Sequence, residues 1–317
     1  MPSWKSANPT GRASRTTSEM TLDPTTRTGA WYLASRPHTL PAALTPVFVA
    51  AGLAIGDDVF GWGPLVATAI GALAIQVAAN FTNDLSDARK GADNEARIGP
   101  QRAVASGILS ERAMSIGTWV SFGVATLAGV YLLTIAGWVI VAVGVASILA
   151  TLGYVGGPKP YGYRGLGEVF VFVFFGLVAT VVSRYVYDRA APLDAWLLAI
   201  PLGFLVTAIL VANNVRDIDT DRTAGKRTLA VMMGRGRTRV LFDTLVWGAF
   251  VLVGLFALFG WTPAWTALAL VTIPLAVPIT ITIHREVSGP PLIAVLKGVA
   301  RLDLLFGVLV AIGAAIS

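Results

Sequence analysis

Two short polar stretches hold most of the residues in this chain whose type and spacing could do chemistry. The first reads Asn80-Phe-Thr-Asn83-Asp84-Leu-Ser-Asp87-Ala-Arg-Lys-Gly91-Ala-Asp93. The second reads Asn213-Asn-Val-Arg216-Asp217-Ile-Asp219-Thr-Asp221-Arg-Thr-Ala-Gly225-Lys226-Arg227. On a helix, Asn80, Asn83, Asp84 and Asp87 share one face at spacings of three, four and seven, and Asn213, Asp217 and Asp221 line up at spacings of four. Like charges at that spacing disfavour a helix by a few tenths of a kcal/mol per pair, so a cation is expected to compensate. Hard oxygen donors without Cys or His suit Mg²⁺, which is held by one or two carboxylates plus substrate phosphates. A single Asp-rich stretch would read as a solvated turn or cap. Two of them, each pairing Asn with Asp and each trailed by a Gly that ends the helix and by basic residues, read as a divided binding site.

The elements that must position these stretches follow from composition. Of 317 residues, 55% are hydrophobic and only 13% charged, against roughly 25% charged in soluble chains. The mean hydropathy is +0.70, which excludes an ordinary soluble globule, and with no cysteine a disulfide scaffold is excluded too. Continuous apolar runs, long enough at about 20 residues to span a bilayer, predict an all-α multi-pass transmembrane bundle and not a barrel. Nine runs are expected, at 39–56, 62–82, 114–134, 137–155, 166–186, 194–213, 240–260, 262–283 and 298–316. Residues 1–28, rich in Ser, Thr and Arg without an apolar core, read as a disordered cytoplasmic tail ahead of one domain over 29–317.

Of the 24 Lys and Arg, 22 fall on one side of these segments and only Arg184 and Arg189 on the other. The positive-inside rule then sets the N-terminus in the cytoplasm, the C-terminus outside and both polar stretches on the cytoplasmic face. The net charge of +6 expresses this bias and an affinity for anionic lipid headgroups, with no nucleic-acid partner expected. His38 and His284, both near cytoplasmic helix ends, read as anchors and not as catalysts.

Metal-binding stripes at the mouth of an apolar bundle predict a substrate with a diphosphate head and a hydrocarbon tail, the metal offsetting charge on the leaving group. Phe81, Tyr154, Tyr161, Tyr163 and the run Phe170, Phe172, Phe174, Phe175 could offer aromatic faces to an allylic cation, although each phenylalanine alone reads equally as packing. The link Gly156-Gly-Pro-Lys-Pro-Tyr161-Gly-Tyr163-Arg164 is either part of the substrate mouth or a rigid turn. A transporter is the competing class, but its ionisable groups belong near the bilayer midplane, whereas here they gather at one face.

The chain resembles the UbiA superfamily of intramembrane prenyltransferases, from about Arg36 to the C-terminus. The two polar stretches match its two aspartate-rich motifs. Ser35-Arg-Pro-His-Thr-Leu-Pro, Gly156-Gly-Pro-Lys-Pro-Tyr-Gly-Tyr-Arg-Gly-Leu-Gly-Glu168 and Asn213-Asn-Val-Arg-Asp-Ile-Asp-Thr-Asp are most similar to its branch acting on 1,4-dihydroxy-2-naphthoate in menaquinone synthesis. The resemblance implies Mg²⁺-dependent transfer of a polyprenyl group from its diphosphate to an aromatic acid, with loss of the ring carboxylate, in a bacterial inner membrane. It implies metal contacts at Asn83, Asp84, Asp87, Asp217 and Asp221, the four aspartates being catalytic. Asn80, Asn213, Tyr161, Arg102, Arg216 and Lys226 are expected around the substrates. Arg36 has three readings: a diphosphate contact, a contact to the acid's carboxylate, or a positive-inside anchor. Where the broad superfamily pattern has a third acid, this chain has Gly91 followed by Asp93, as the naphthoate branch does. Another acceptor, of the 4-hydroxybenzoate or chlorin type, is the alternative within the superfamily.

Overall fold

The computed structural model describes residues 26–89, 102–156, 160–286 and 289–317. The chain in these segments is helical: α1 (Arg27–Ala34), α2 (Pro41–Gly56), α3 (Trp62–Arg89), α4 (Glu111–Ala136), α5 (Val139–Val155), α6 (Gly167–Asp188), α7 (Leu193–Thr223), α8 (Leu229–Leu258), α9 (Ala264–Arg285) and α10 (Pro290–Ala315). Each of the nine expected apolar segments coincides with one of α2–α10. Six of these helices are long and apolar enough to cross a membrane, seven when α1 and α2 count as one span bent by 49°. The expected tail lies outside the described residues except at its end, where Arg27 and Thr28 open α1 behind a Thr26 side-chain cap. Gly91 and Asp93 also lie outside.

The apolar pattern locates helices but underestimates their length. α3 runs on to Arg89 and α7 to Thr223, so both polar stretches extend transmembrane helices beyond the apolar core, which is what places their side chains in register. α8 likewise begins at Leu229, eleven residues before its apolar run, broken at Gly234 where φ is 77°.

Buried residues of α2, α7, α8, α9 and α10 form the main core, including Leu53, Leu202, Phe242, Ile283 and Phe306. Little hydrophobic force separates helices from lipid, so close backbone approach must hold them. A Cβ on Gly52 of α2 would lie 2.2 Å from the Ala311 carbonyl oxygen of α10, and one on Gly176 of α6 would lie 2.5 Å from Gly203 Cα of α7. The turns over Phe172–Val178 are π-helical, a widened geometry often found beside functional sites. At the end away from the polar stretches, Arg184 is 2% exposed and holds Asp57 at 2.6 Å and Asp188 at 2.7 Å, tying α2 to α6.

Between this core and a second wall made by α3, α4 and α5 lies a cavity of about 470 Å³. Its walls are apolar along most of their length, and its polar end is set by Arg36, Asn80, Asn83 and Asn213. The outward faces of α4 and α5 expose Trp119, Leu127, Val145 and Leu149, as a lipid-facing surface requires.

Candidate active site

The two polar stretches, 130 residues apart in sequence, meet at the mouth of the cavity. Asp87 of α3 is the junction. Its Oδ1 accepts hydrogen bonds from Lys226 Nζ and from the Tyr163 hydroxyl, both at 2.9 Å, and its Oδ2 accepts from Arg102 at 2.9 Å. Lys226 Nζ also lies 3.9 Å from Asp221 Oδ1, so one ammonium sits between carboxylates of the two stretches. It stands 4.9 Å over the Tyr163 ring as well, within cation–π range. Gly225, in the left-handed region at φ 71°, turns the chain after α7 so that Lys226 can reach back.

Each remaining residue takes a distinct position. Arg216, 5% exposed, grips Asp217 with two hydrogen bonds of 2.7 and 2.6 Å and donates to Asn213 Oδ1 at 2.8 Å. This fork matches a carboxylate geometrically and fixes the Asp217 rotamer. Asp84, 2% exposed, accepts the backbone N–H groups of Ala103 and Val104 at 3.2 and 3.3 Å. That contact folds the segment after residue 101 back on α3 and carries Arg102 onto Asp87. Asp219 faces away: it is exposed and pairs with Arg235 at 2.9 Å.

Among the described residues no three acidic or histidine side chains converge on one point. The donor set nonetheless suits a hard cation, because Lys226 already occupies a cation position between Asp87 and Asp221, Asn83 lines the cavity, and Asp217 lies one helical turn beyond the cavity-lining Asn213. These residues fit Mg²⁺.

Arg36 joins α1 to α2 in a left-handed conformation, φ 49°, which a non-glycine residue holds only when its surroundings impose it. The imposing network comes from α3. Asn80 donates to the Ser35 carbonyl at 2.8 Å and to Thr39 Oγ1 at 3.1 Å, Gln76 donates to Thr39 Oγ1 at 3.1 Å, and Thr39 donates to the Arg36 carbonyl at 2.9 Å. The Arg36 guanidinium is thereby turned into the cavity wall, where its Nη2 is buried without a partner among the described residues.

Tyr161 begins an aromatic wall. Its ring stacks on Phe170 at 3.8 Å, and Phe170 lies parallel to Phe174 at 6.0 Å, all three lining the cavity. Burial raises the phenol pKa of both Tyr161 and Tyr163, and the neighbouring Asp87 raises Tyr163 further, so both stay protonated donors. Phe81 and Phe172 are elsewhere: Phe81 packs on Trp31, and Phe172 on Phe204.

Two residues here were not anticipated. Gln76 extends the Asn80–Asp87 stripe by one helical turn, so the spacing that revealed the stripe also pointed to it. Glu168, 5% exposed, accepts from Asn214 at 2.9 Å and links α6 to α7; only proximity in space reveals that pair.

Comparison with known proteins assigns the chain to a family. The chain is 38% identical to the 1,4-dihydroxy-2-naphthoate octaprenyltransferase of Mycobacterium tuberculosis over 89% of its length and 95% of that protein's. It is 36% identical to the Escherichia coli enzyme of the same name, over 90% and 96%. Its fold resembles a UbiA homolog from Archaeoglobus fulgidus bound to GPP and Mg²⁺, with a TM-score of 0.66 at 13% identity over 91% of this chain and all of that one. The UbiA prenyltransferase family matches residues 43–296. That span holds both aspartate stretches and most of the cavity wall, and the chain belongs to the UbiA prenyltransferase family.

Proposed function

We propose that the protein transfers a polyprenyl group from its diphosphate to 1,4-dihydroxy-2-naphthoate, with loss of the ring carboxylate, to give demethylmenaquinol in a bacterial inner membrane with the N-terminus cytoplasmic. The observation that carries this reading is the meeting of Asp87, Asp221 and Lys226 at the mouth of an apolar cavity. The diphosphate head belongs at that mouth and the tail along Tyr161, Phe170 and Phe174.

Asp87, Asp217, Asp221 and Asn83 would hold Mg²⁺, which when bound offsets charge on the departing diphosphate. With Asp87 given to the metal, Arg102 and Lys226, which hold it here, would be the groups to donate charge-assisted hydrogen bonds to the diphosphate oxygens. Asp84, also expected to contact the metal, accepts the Ala103 and Val104 N–H groups and with Arg216 supports this constellation from behind. The bond between the prenyl carbon and the diphosphate oxygen breaks with its electron pair leaving on phosphate. A ring carbon supplies the pair for the new carbon–carbon bond. The carboxylate departs as CO₂, so the ring's net proton count is unchanged. The aromatic wall screens the allylic cation from water and attracts it. Arg36, with its unmatched buried donor, holds the acid's carboxylate until then.

The test is purified protein in nanodiscs with polyprenyl diphosphate, 1,4-dihydroxy-2-naphthoate and Mg²⁺, product being followed by mass. Prenylated naphthoquinol with loss of CO₂, abolished by EDTA and by Asp87→Ala or Asp217→Ala, is expected. Diphosphate release without that product would refute the acceptor. No release with any aromatic acceptor would refute the enzyme reading.

A further inference from the structure

Two buried polar atoms of opposite hydrogen-bonding sense, on residues that both hydrogen-bond Thr39, are left unmatched in the lining of the cavity. One is the Arg36 Nη2 donor and the other the Gln76 Oε1 acceptor; neither has a partner among the described residues, and both residues line the cavity. Gln76 is 8% exposed.

The orientation of the Gln76 amide is determined by its neighbours. The Thr39 hydroxyl spends its single hydrogen on the Arg36 carbonyl at 2.9 Å, so its oxygen can only accept. It accepts from Gln76 Nε2 and from Asn80 Nδ2, each at 3.1 Å. Flipping the Gln76 amide would set its oxygen against an oxygen that has no hydrogen to give. Oε1 is therefore held pointing away from Thr39, and an unmatched acceptor in that position disfavours the empty site by a factor of about ten to a hundred.

We propose that Gln76 is a specificity-determining residue that reads a hydroxyl on the aromatic acceptor while Arg36 holds its carboxylate. This rests on the acceptor reading above. A ligand that matches both atoms offers an anion to Arg36 and a hydroxyl hydrogen to Gln76, as a hydroxylated aromatic acid does. In 1,4-dihydroxy-2-naphthoate the hydroxyl beside the carboxylate is engaged internally with it, so the 4-hydroxyl is the free donor. An acid lacking that hydroxyl leaves Oε1 unmatched and binds more weakly, because a site built to pair a hydroxyl rejects the analogue without it.

The experiment measures affinities of 1,4-dihydroxy-2-naphthoate and 1-hydroxy-2-naphthoate by anaerobic calorimetry in nanodiscs, without prenyl diphosphate, for wild type and Gln76→Met. Wild type should favour the dihydroxy acid by about tenfold to a hundredfold, and Gln76→Met should bring the ratio near one. In turnover the variant should raise KM for the dihydroxy acid with kcat within about twofold, since the contact is uniform binding. An unchanged ratio in Gln76→Met would overturn the assignment, whatever the variant's overall stability, because each ratio is internal to one protein. If Gln76→Met does not fold, Gln76→Leu and Thr39→Val carry the same comparison, the latter with a smaller change of the same sign. Failure of wild type to bind or turn over either acid, with diphosphate still released on other acceptors, would instead remove the acceptor reading and this inference with it.

Discussion

Lys226→Met should strengthen the binding of metal alone and weaken catalysis, two effects of opposite sign. In the ligand-free site the carboxylates of Asp87, Asp217 and Asp221 are matched by Arg102, Arg216 and Lys226, each carboxylate having a cation within 4 Å. Removing the ammonium leaves one net negative charge where Mg²⁺ is to sit. Two charges and one charge about 5 Å apart interact by about 1.7 kcal/mol even at the dielectric constant of water, which corresponds to roughly 15-fold tighter metal binding. With substrate present, the same substitution removes a charge-assisted contact to the diphosphate worth about 1.5–3 kcal/mol, so kcat/KM should fall by about 10- to 150-fold. Titration of Mg²⁺ or Mn²⁺ into nanodiscs without diphosphate reads the first effect, and turnover reads the second. Metal affinity that is unchanged or reduced in Lys226→Met would refute the view that this lysine holds the place of the metal. A loss of turnover with tighter metal binding would sustain it, since general damage to the fold weakens both.

Three further outcomes follow from the geometry. Tyr163→Phe removes one of the three donors that Asp87 has among the described residues and should lower kcat/KM by about fivefold; because burial and Asp87 raise the phenol pKa, the factor should be the same from pH 6 to 9, and a loss confined to the alkaline side would show that the phenol ionises. Gly52→Val drives a side chain into the Ala311 carbonyl and should destabilise the α2–α10 contact by about 1–3 kcal/mol or more, read as a lower melting temperature in detergent; an unchanged melt would mean the helices separate freely. At the other end of the bundle, Arg184→Met should destabilise less than the double change Asp57→Ala with Asp188→Ala. The first leaves two partly solvated carboxylates, and the second leaves a guanidinium that is 2% exposed without its partners. Equal melting temperatures would refute that asymmetry.

The sequence by itself determined the class of the molecule. Apolar runs of bilayer length can be satisfied only by helices, so where the helices lie is a local property of the chain. The two stripes were legible for the same reason: residues three and four apart on α3 and α7 share a face whatever surrounds them. Helix ends were not legible from hydropathy. The last turns of α3 and α7 are polar and stay helical because their carboxylates are matched by cations: Asp87 by Lys226 and Arg102, Asp217 by Arg216, and Asp221 by Lys226. Only the tertiary structure decided which groups meet. Lys226 reaches Asp87 across 139 positions, and Tyr163 across 76. Asp84 is turned to a backbone loop while Asp87, one turn on, faces the mouth. The stripe makes the two equivalent; what separates them is the direction in which α3 packs. Gln76 shows the same limit from the other side. Its place on the stripe could be read from spacing, but that its oxygen is left unmatched follows from how Thr39, on a separate bend of the chain, spends its one hydrogen.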